Sequence, residues 1–125
     1  MAGTSVLIVD DDPVVRRMLQ LSFESEGFNV VTAADGIEGL EAMRNDKPGV
    51  VVLDIMMPKL DGMKVMDELN GDDNLRGLPV ILLSAKATSL DIDLGLKAGA
   101  ADYITKPVDP IELVDRVRSV LAKTG

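Results

Sequence analysis

Three runs of four apolar residues are the clearest pattern in the chain, at positions 6–9, 50–53 and 80–83. They are rich in β-branched residues and do not alternate with polar ones, which is typical of strands buried on both faces of a parallel sheet. Two further stretches, residues 28–32 and 102–105, mix apolar and polar side chains. We predict that these two are the edge strands of the same sheet, because an edge strand is less fully covered.

Between the predicted strands, apolar residues recur at the spacing of a helix that buries one face. The first helix begins at Pro13, a residue favoured in a first turn, and ends before Gly27. Further helices follow the Asp–Gly pairs at 35–36 and 61–62, and the last helix covers residues 110–122. The predicted buried stripe of the first helix consists of Val14, Val15, Met18, Leu19 and Phe23.

The segment 88–98 is ambiguous, because its apolar residues alternate with a period of two, which by itself favours a strand. Asp91, Asp93 and Gly95 fit a strand badly, and a parallel sheet needs a crossover connection at this point. We therefore predict a helix. Gly95 should weaken it by up to ~1 kcal/mol relative to alanine.

Strand and helix alternate five times without a linker or low-complexity segment, which predicts one α/β domain over residues 1–125 with its core at 5–122. Three apolar strands flanked by two half-polar strands fit a doubly wound parallel sheet in the order 2-1-3-4-5. Ligands of such sheets bind at the carboxyl ends of the strands. That edge carries Asp10, Asp11, Asp12, Asp54 and Ser84.

Asp10, Asp11 and Asp54 end adjacent central strands, so their carboxylates should lie close enough to repel one another or to bind a cation. A site made of oxygen atoms, without His or Cys, suits Mg²⁺. Asp54 could then be a nucleophile for phosphate, since carboxylates form aspartyl-phosphate intermediates. Ser84 could donate to a phosphoryl oxygen, and Lys106 could neutralise its charge. These parts match a phosphoryl-transfer site.

Simpler interpretations exist for the same residues. Asp12 is best explained as a helix N-cap, and Asp10 and Asp11 could be acidic residues favoured by the same helix end. Asp54 could be an ordinary loop carboxylate, Ser84 could cap a turn, and Lys106 could be a solvated surface lysine. We expect four methionines to fill the core, namely Met18, Met43, Met63 and Met66.

Composition excludes several function classes. The chain has no Cys and no His, so disulfides, thiolate metal sites, catalytic triads and phosphohistidine transfer through its own side chains are excluded. Phe23, Phe28 and Tyr103 are too few aromatics for a base-stacking platform. The net charge of -8 opposes direct binding to nucleic acid or to an anionic membrane.

No segment reaches the ~20 apolar residues of a membrane span. The first five residues have no basic region and no long apolar stretch, so a signal peptide is not expected. We expect a cytoplasmic protein.

Four sequence segments, taken together, resemble the response regulator receiver domain of two-component signal transduction, a flavodoxin-like fold. They are residues 7–13, 52–62, 83–85 and 99–107. The resemblance covers residues 5–122, and the segments occur in the order and at the spacing of that family.

The resemblance implies that Asp54 is the phosphoacceptor, which receives a phosphoryl group from a phosphohistidine on a partner histidine kinase or histidine phosphotransferase. The missing histidine would then belong to the partner. Asp11 would bind Mg²⁺ directly, Asp10 largely through water, and the backbone carbonyl of Met56 would be a further ligand. The domain would catalyse its own phosphorylation and dephosphorylation at Asp54 without being a conventional enzyme.

The resemblance also implies a switch. Ser84 would move to bond the phosphoryl group, Lys106 would pair with it, and Tyr103 would swing inward as Ser84 moves. The Lys106–Pro107 peptide would be cis. The surface formed by the 88–98 helix, the fifth strand and the 110–122 helix would then change and bind an output protein, an output domain or a second copy. We expect a monomer or a weak, phosphorylation-dependent dimer.

DNA-binding members of the family often carry paired Asp before the tyrosine, whereas Ala101–Asp102 supplies one. The sequence therefore does not decide whether this chain uses the dimer surface usual in those members. Arg116 lies where their last-helix arginine would. The sequence fits either a diffusible receiver or a receiver from a longer regulator.

Three other functions are weaker matches. A pseudo-receiver, acting only as an interaction module, should lack one of the acidic residues, Ser84 or Lys106. A flavin mononucleotide carrier would need a hydroxyl-rich loop after the first strand. A haloacid-dehalogenase-like phosphatase would need a hydroxyl residue where Val14 stands.

Overall fold

The computed structural model describes residues 3–86 and 88–124. Five strands and five helices alternate along it. The strands are β1 (Ser5–Val9), β2 (Asn29–Ala33), β3 (Val50–Asp54), β4 (Val80–Ser84) and β5 (Asp102–Thr105). The helices are α1 (Pro13–Ser25), α2 (Gly36–Asp46), α3 (Gly62–Asn70), α4 (Ser89–Lys97) and α5 (Pro110–Thr124).

All neighbouring strands pair in parallel, and their order is β2-β1-β3-β4-β5. The predicted topology and the two predicted edge strands are therefore confirmed. The central strands β3 and β4 are buried at every position, whereas β2 and β5 each have exposed residues. The register pairs Asp54 of β3 with Leu83 of β4, and this places the ends of the two strands side by side.

The sheet separates two apolar clusters, because successive side chains of a strand point to opposite faces. Along β1, Val6 and Ile8 belong to one cluster, and Leu7 and Val9 belong to the other. The first cluster includes Leu19 and Phe23 of α1 and Val117 of α5, and the second includes residues of α2 and α3. The two layers of helices cover the sheet and leave its carboxyl edge for the loops that follow β1, β3, β4 and β5.

The helix starts follow local chemistry. The side chain of Asp12 accepts hydrogen bonds from the amides of Val14 (2.9 Å) and Val15 (3.4 Å), so the predicted N-cap is confirmed. Asp35, Asp61 and Thr88 cap α2, α3 and α4 in the same way. The Lys106–Pro107 peptide is cis, as the family resemblance implied.

Two expectations about packing are wrong. The predicted buried stripe of the first helix includes Val14 and Met18, but they are 74% and 38% exposed. For the same reason Met18 does not fill the core as predicted. Helix α1 contacts the core through a narrower stripe that includes Leu19 and Phe23. Met43 and Met66 do fill the core, and Met63 packs against it partly buried. No helix within the described residues is long and apolar enough to cross a membrane.

Candidate functional site

Three carboxylates meet at the carboxyl edge of the sheet. Asp10 directly follows β1, Asp11 is the next residue, and Asp54 is the last residue of β3. One oxygen atom from each lies within 4.8 Å of the others. Asp10 and Asp54 are 1% and 3% exposed, whereas Asp11 is open to solvent. Two buried carboxylates and one accessible carboxylate therefore share one small volume.

Lys106 lies between the two buried carboxylates. Its Nζ is 3.1 Å from Oδ2 of Asp10 and 3.3 Å from Oδ2 of Asp54. The lysine follows β5, and its backbone amide donates to the carbonyl of Ser84 at 2.8 Å. The end of β5 thus places the ammonium group of Lys106 beside the carboxylates of Asp10 and Asp54, which reduces the free-energy cost of burying the two carboxylates.

The backbone also orients the buried carboxylates. Oδ1 of Asp54 accepts a hydrogen bond from the amide of Met56 at 3.2 Å. Oδ1 of Asp10 accepts one from the amide of Asp12 at 2.9 Å. The guanidinium of Arg16 donates to the carbonyl of Asp10 at 2.8 Å. No pattern in the sequence indicates Arg16, because its contact depends on the path of the chain between β1 and α1.

Burial raises the pKa of Asp54 to about 6, and the nearby charge of Asp10 adds to the rise. The positive charge of Lys106 and its hydrogen bond oppose this shift. The pKa of Lys106 is itself raised, because the hydrogen bond and charge of Asp10 and the charge of Asp54 outweigh its desolvation. At neutral pH the site therefore holds an ionised Asp54 that is costly to bury, which is the state a nucleophilic carboxylate requires.

Asp54→Asn should accordingly stabilise the metal-free protein near pH 7, because asparagine keeps the acceptor for Met56 and removes the buried charge. The pKa of Asp54 is higher when folded than when unfolded, so its ionisation lowers stability as pH rises from about 4 to about 6. We expect a gain on the order of 1–3 kcal/mol at pH 7 that fades towards pH 4. Urea unfolding in chelator at both pH values measures it. Asp12→Asn, at an exposed cap, is the control, and the same pH-dependent gain there would contradict the explanation.

Ser84 and Tyr103 contact the same residue, Lys86, which the sequence did not single out. The hydroxyl of Ser84 accepts a hydrogen bond from the amide of Lys86 at 3.1 Å, which is the turn-capping contact proposed as its simpler role. The hydroxyl of Tyr103 donates to the carbonyl of Lys86 at 2.9 Å. The ring of Tyr103 is 8% exposed. The structure therefore holds Tyr103 in the inward position that the resemblance implies for the switched state, while the hydroxyl of Ser84 still accepts the amide of Lys86.

The donor set fits a hard dication. All three side chains of the carboxylate cluster offer oxygen, and the exposed Asp11 gives a cation a path from solvent. Met56, two residues after Asp54, is 54% exposed, so the chain beside the cluster is also at the surface. The residues present are suitable ligands for Mg²⁺.

The sequence as a whole matches the model of the response regulator receiver domain over residues 6–118. That span is most of the chain, and it contains all three carboxylates, Ser84, Tyr103 and Lys106. The chain therefore belongs to the response regulator receiver domain family of two-component systems, and the resemblance seen in the sequence is confirmed.

Curated relatives include longer regulators. The chain is 47% identical to the transcriptional regulatory protein CseB of Streptomyces coelicolor over 122 residues, covering 98% of this chain and 51% of that protein. It is 42% identical to the DNA-binding response regulator MtrA of Mycolicibacterium smegmatis over 118 residues, covering 94% of this chain and 50% of that protein. The chain thus spans about half the length of the curated relatives it matches.

Solved structures show the same fold. The receiver domain of the Francisella response regulator 1452 superposes with a TM-score of 0.92 at 36% identity, covering 98% of this chain and 100% of that one. The chemotaxis protein CheY4 of Vibrio cholerae superposes with a TM-score of 0.89 at 27% identity, covering 95% and 99%.

Proposed function

We propose that this receiver domain accepts a phosphoryl group on Asp54 from the phosphohistidine of a partner kinase or phosphotransferase. One observation carries the proposal: a buried carboxylate lies at a sheet edge beside two other carboxylates, with the Nζ atom of Lys106 3.3 Å from its Oδ2. A buried aspartate of purely structural use would not be expected among like charges.

In the proposed step, an oxygen of Asp54 attacks the phosphorus while the bond from phosphorus to the partner's imidazole nitrogen breaks. The imidazole leaves with the electron pair of that bond, and Asp54 becomes an acyl phosphate. Met56 and Lys106 hold the two oxygens of Asp54, so the carboxylate is oriented before the donor arrives. Lys106 would move from pairing carboxylates to pairing the new phosphoryl oxygens.

Mg²⁺ would be held by Asp10, Asp11, Asp54 and the backbone carbonyl of Met56. When bound, it would supply positive charge that screens the carboxylates from an incoming anion. The exposed Asp11 would admit and release the ion.

The proposed output is a change in the surface formed by α4, β5 and α5. Ser84 and Tyr103 meet at Lys86, so a movement of Ser84 towards the phosphoryl group would alter the support of Tyr103. We propose residues 1–125 as one receiver domain, monomeric or weakly dimeric when phosphorylated. In a longer chain the output would be DNA binding by another domain, as the name of the relative MtrA suggests; the charge of -8 disfavours nucleic acid on the receiver itself.

A small phosphodonor tests the proposal. Incubation with phosphoramidate and Mg²⁺ should add the mass of one phosphoryl group to the wild-type protein, and excess chelator should prevent it. Asp54→Asn should gain nothing, because an amide is a poor nucleophile. Asp12→Asn, the neighbouring acidic cap, should behave as wild type.

The same experiment distinguishes the main alternative, a pseudo-receiver that acts only by binding partners. Such a protein would remain at its unmodified mass under every condition. A phosphoryl group on Asp54→Asn would place the acceptor elsewhere and contradict the assignment.

A further inference from the structure

The loop between β3 and α3, residues 55–61, follows Asp54 and carries Met56, and it crosses the N-terminus of α2. A Cβ atom added to Gly36, the first residue of α2, would lie 2.4 Å from the carbonyl oxygen of Leu60 and 2.8 Å from Cγ2 of Val65. No such distance is tolerated between real atoms, and the first of the two neighbours is backbone. Gly36 therefore permits a close approach of the loop that any side chain would prevent.

A second contact joins the same two segments. Nζ of Lys59 lies 3.4 Å from Oδ2 of Asp35, whose other oxygen caps α2 by accepting the amide of Glu38 at 2.9 Å. Asp35 is a buried carboxylate. Lys59 has a φ of 68°, a left-handed conformation that non-glycine residues adopt at a cost. The ion pair therefore joins a lysine of unfavourable backbone conformation to the end of α2.

The far end of the loop closes back on the phosphoacceptor. The amide of Gly62 donates to the carbonyl of Ile55 at 2.9 Å. A Cβ atom on Gly62 would lie 2.7 Å from the carbonyl oxygen of Asp54 and 2.7 Å from Cα of Ile55. The loop from Asp54 to Gly62 is thus closed by a backbone contact, and we expect a displacement at Leu60 to shift the backbone beside Asp54 and Met56.

We propose that Asp35, Gly36 and Lys59 are positioning residues that use the N-terminus of α2 to fix the β3–α3 loop, and so place the Met56 backbone and the Asp54 carboxylate for a divalent cation. This inference rests on the proposed function, because the loop geometry can affect Mg²⁺ binding only if Mg²⁺ binds at the carboxylate cluster. None of the three residues touches the carboxylate cluster directly; they act through the loop.

Gly36→Ala tests the backbone contact. Titration of the metal-free protein with Mg²⁺, followed by ¹H–¹⁵N NMR, should give a dissociation constant about 10- to 100-fold higher than that of wild type, the usual effect of losing an outer support of a metal site. The amide resonance of Met56 should already be shifted without metal. Gly71→Ala is the matched control, because a Cβ there meets its nearest neighbour at an ordinary 3.4 Å.

Asp35→Asn and Lys59→Gln test the ion pair while keeping the fold. Asparagine retains the helix cap, and glutamine retains the length of the side chain near the loop. Each should weaken Mg²⁺ binding, and the double variant should be no worse than the weaker single variant. These two variants decide the matter if Gly36→Ala fails to fold.

The outcomes separate this inference from the proposed function. A wild-type protein that binds no Mg²⁺ and takes up no phosphoryl group would overturn both. A functional wild type with unchanged Mg²⁺ affinity in Gly36→Ala, or in both ion-pair variants where Gly36→Ala does not fold, would overturn the positioning role alone. A lower unfolding midpoint at unchanged Mg²⁺ affinity would likewise show a structural contact only.

Discussion

Lys106→Met is expected to lower the free energy of unfolding of the metal-free protein by roughly 3–5 kcal/mol at neutral pH, the range seen when one partner of a buried ion pair is removed. The lysine side chain is 24% exposed, but its two partners are almost fully buried. Methionine fills similar space without charge. Asp10 and Asp54 would then face each other with no cation between them.

Denaturation by urea at two pH values measures this effect. The loss should shrink as the pH falls through the raised pKa of Asp54, because protonation removes the charge that lacks a partner. Added Mg²⁺ should restore part of the stability, since it binds the folded state. Lys64→Met, at an exposed position of α3, is the matched control. An equal loss in both variants would contradict the electrostatic role of Lys106.

The second large effect concerns the switch. Phosphorylation of Asp54 should change the affinity of the α4–β5–α5 surface for a partner or a second copy by about 5- to 150-fold, the usual range of allosteric coupling. Ser84→Ala should still be phosphorylated but should lose most of that gain. Alanine has no hydroxyl that could move from the amide of Lys86 to the phosphoryl group.

Gly95→Ala should disturb the same switch at Tyr103 instead of at Ser84. A Cβ atom at Gly95 would lie 2.8 Å from Cδ2 of Tyr103 and 3.0 Å from Cδ1 of Leu82. Alanine stabilises a helix by ~1 kcal/mol relative to glycine. At position 95, however, its methyl group would clash with the buried ring of Tyr103. We expect the ring to be displaced outward and the coupling to fall, although phosphorylation continues. Gly95 is therefore explained by the space that Tyr103 needs.

Sedimentation with and without beryllium fluoride, a phosphoryl mimic, measures self-association of these variants. Tyr103→Phe separates the ring from the hydroxyl, because it keeps the packing and loses only the 2.9 Å bond to Lys86. An equal gain of association in wild type, Ser84→Ala and Gly95→Ala would rule out the switch.

The sheet was predictable because its pattern is simple. Continuous apolar runs occur only where both faces of a strand are covered, and the polar residue at the end of each run marks the edge where ligands bind. The order of the strands follows from that distinction between central and edge strands. The cluster of Asp10, Asp11 and Asp54 could be predicted for the same reason.

Helix α4 shows where the pattern misleads. Its leucines at positions 90, 94 and 96 are 67%, 51% and 44% exposed, and its buried residue is Gly95. Ile92 packs partly buried against the core beside Gly95, but the three exposed leucines leave no continuous apolar stripe, so the periodicity does not indicate the buried face. The topology predicted this helix where the pattern of its own residues did not.

Contacts between loops could not be predicted from the sequence. Lys86, Arg16 and the pair Asp35 and Lys59 are far from their partners in sequence or depend on tight turns. No residue type or spacing indicates them. They become visible only when the backbone brings β3, β4 and their loops to one edge.

Chemical trapping of the phosphorylated residue tests the central claim most directly. Borohydride reduces an acyl phosphate of aspartate to homoserine, which peptide mass spectrometry locates by residue. After treatment with phosphoramidate and Mg²⁺, homoserine should appear at position 54 and should be absent from samples treated in chelator. Homoserine at another aspartate, or at position 54 without any divalent cation, would contradict the account.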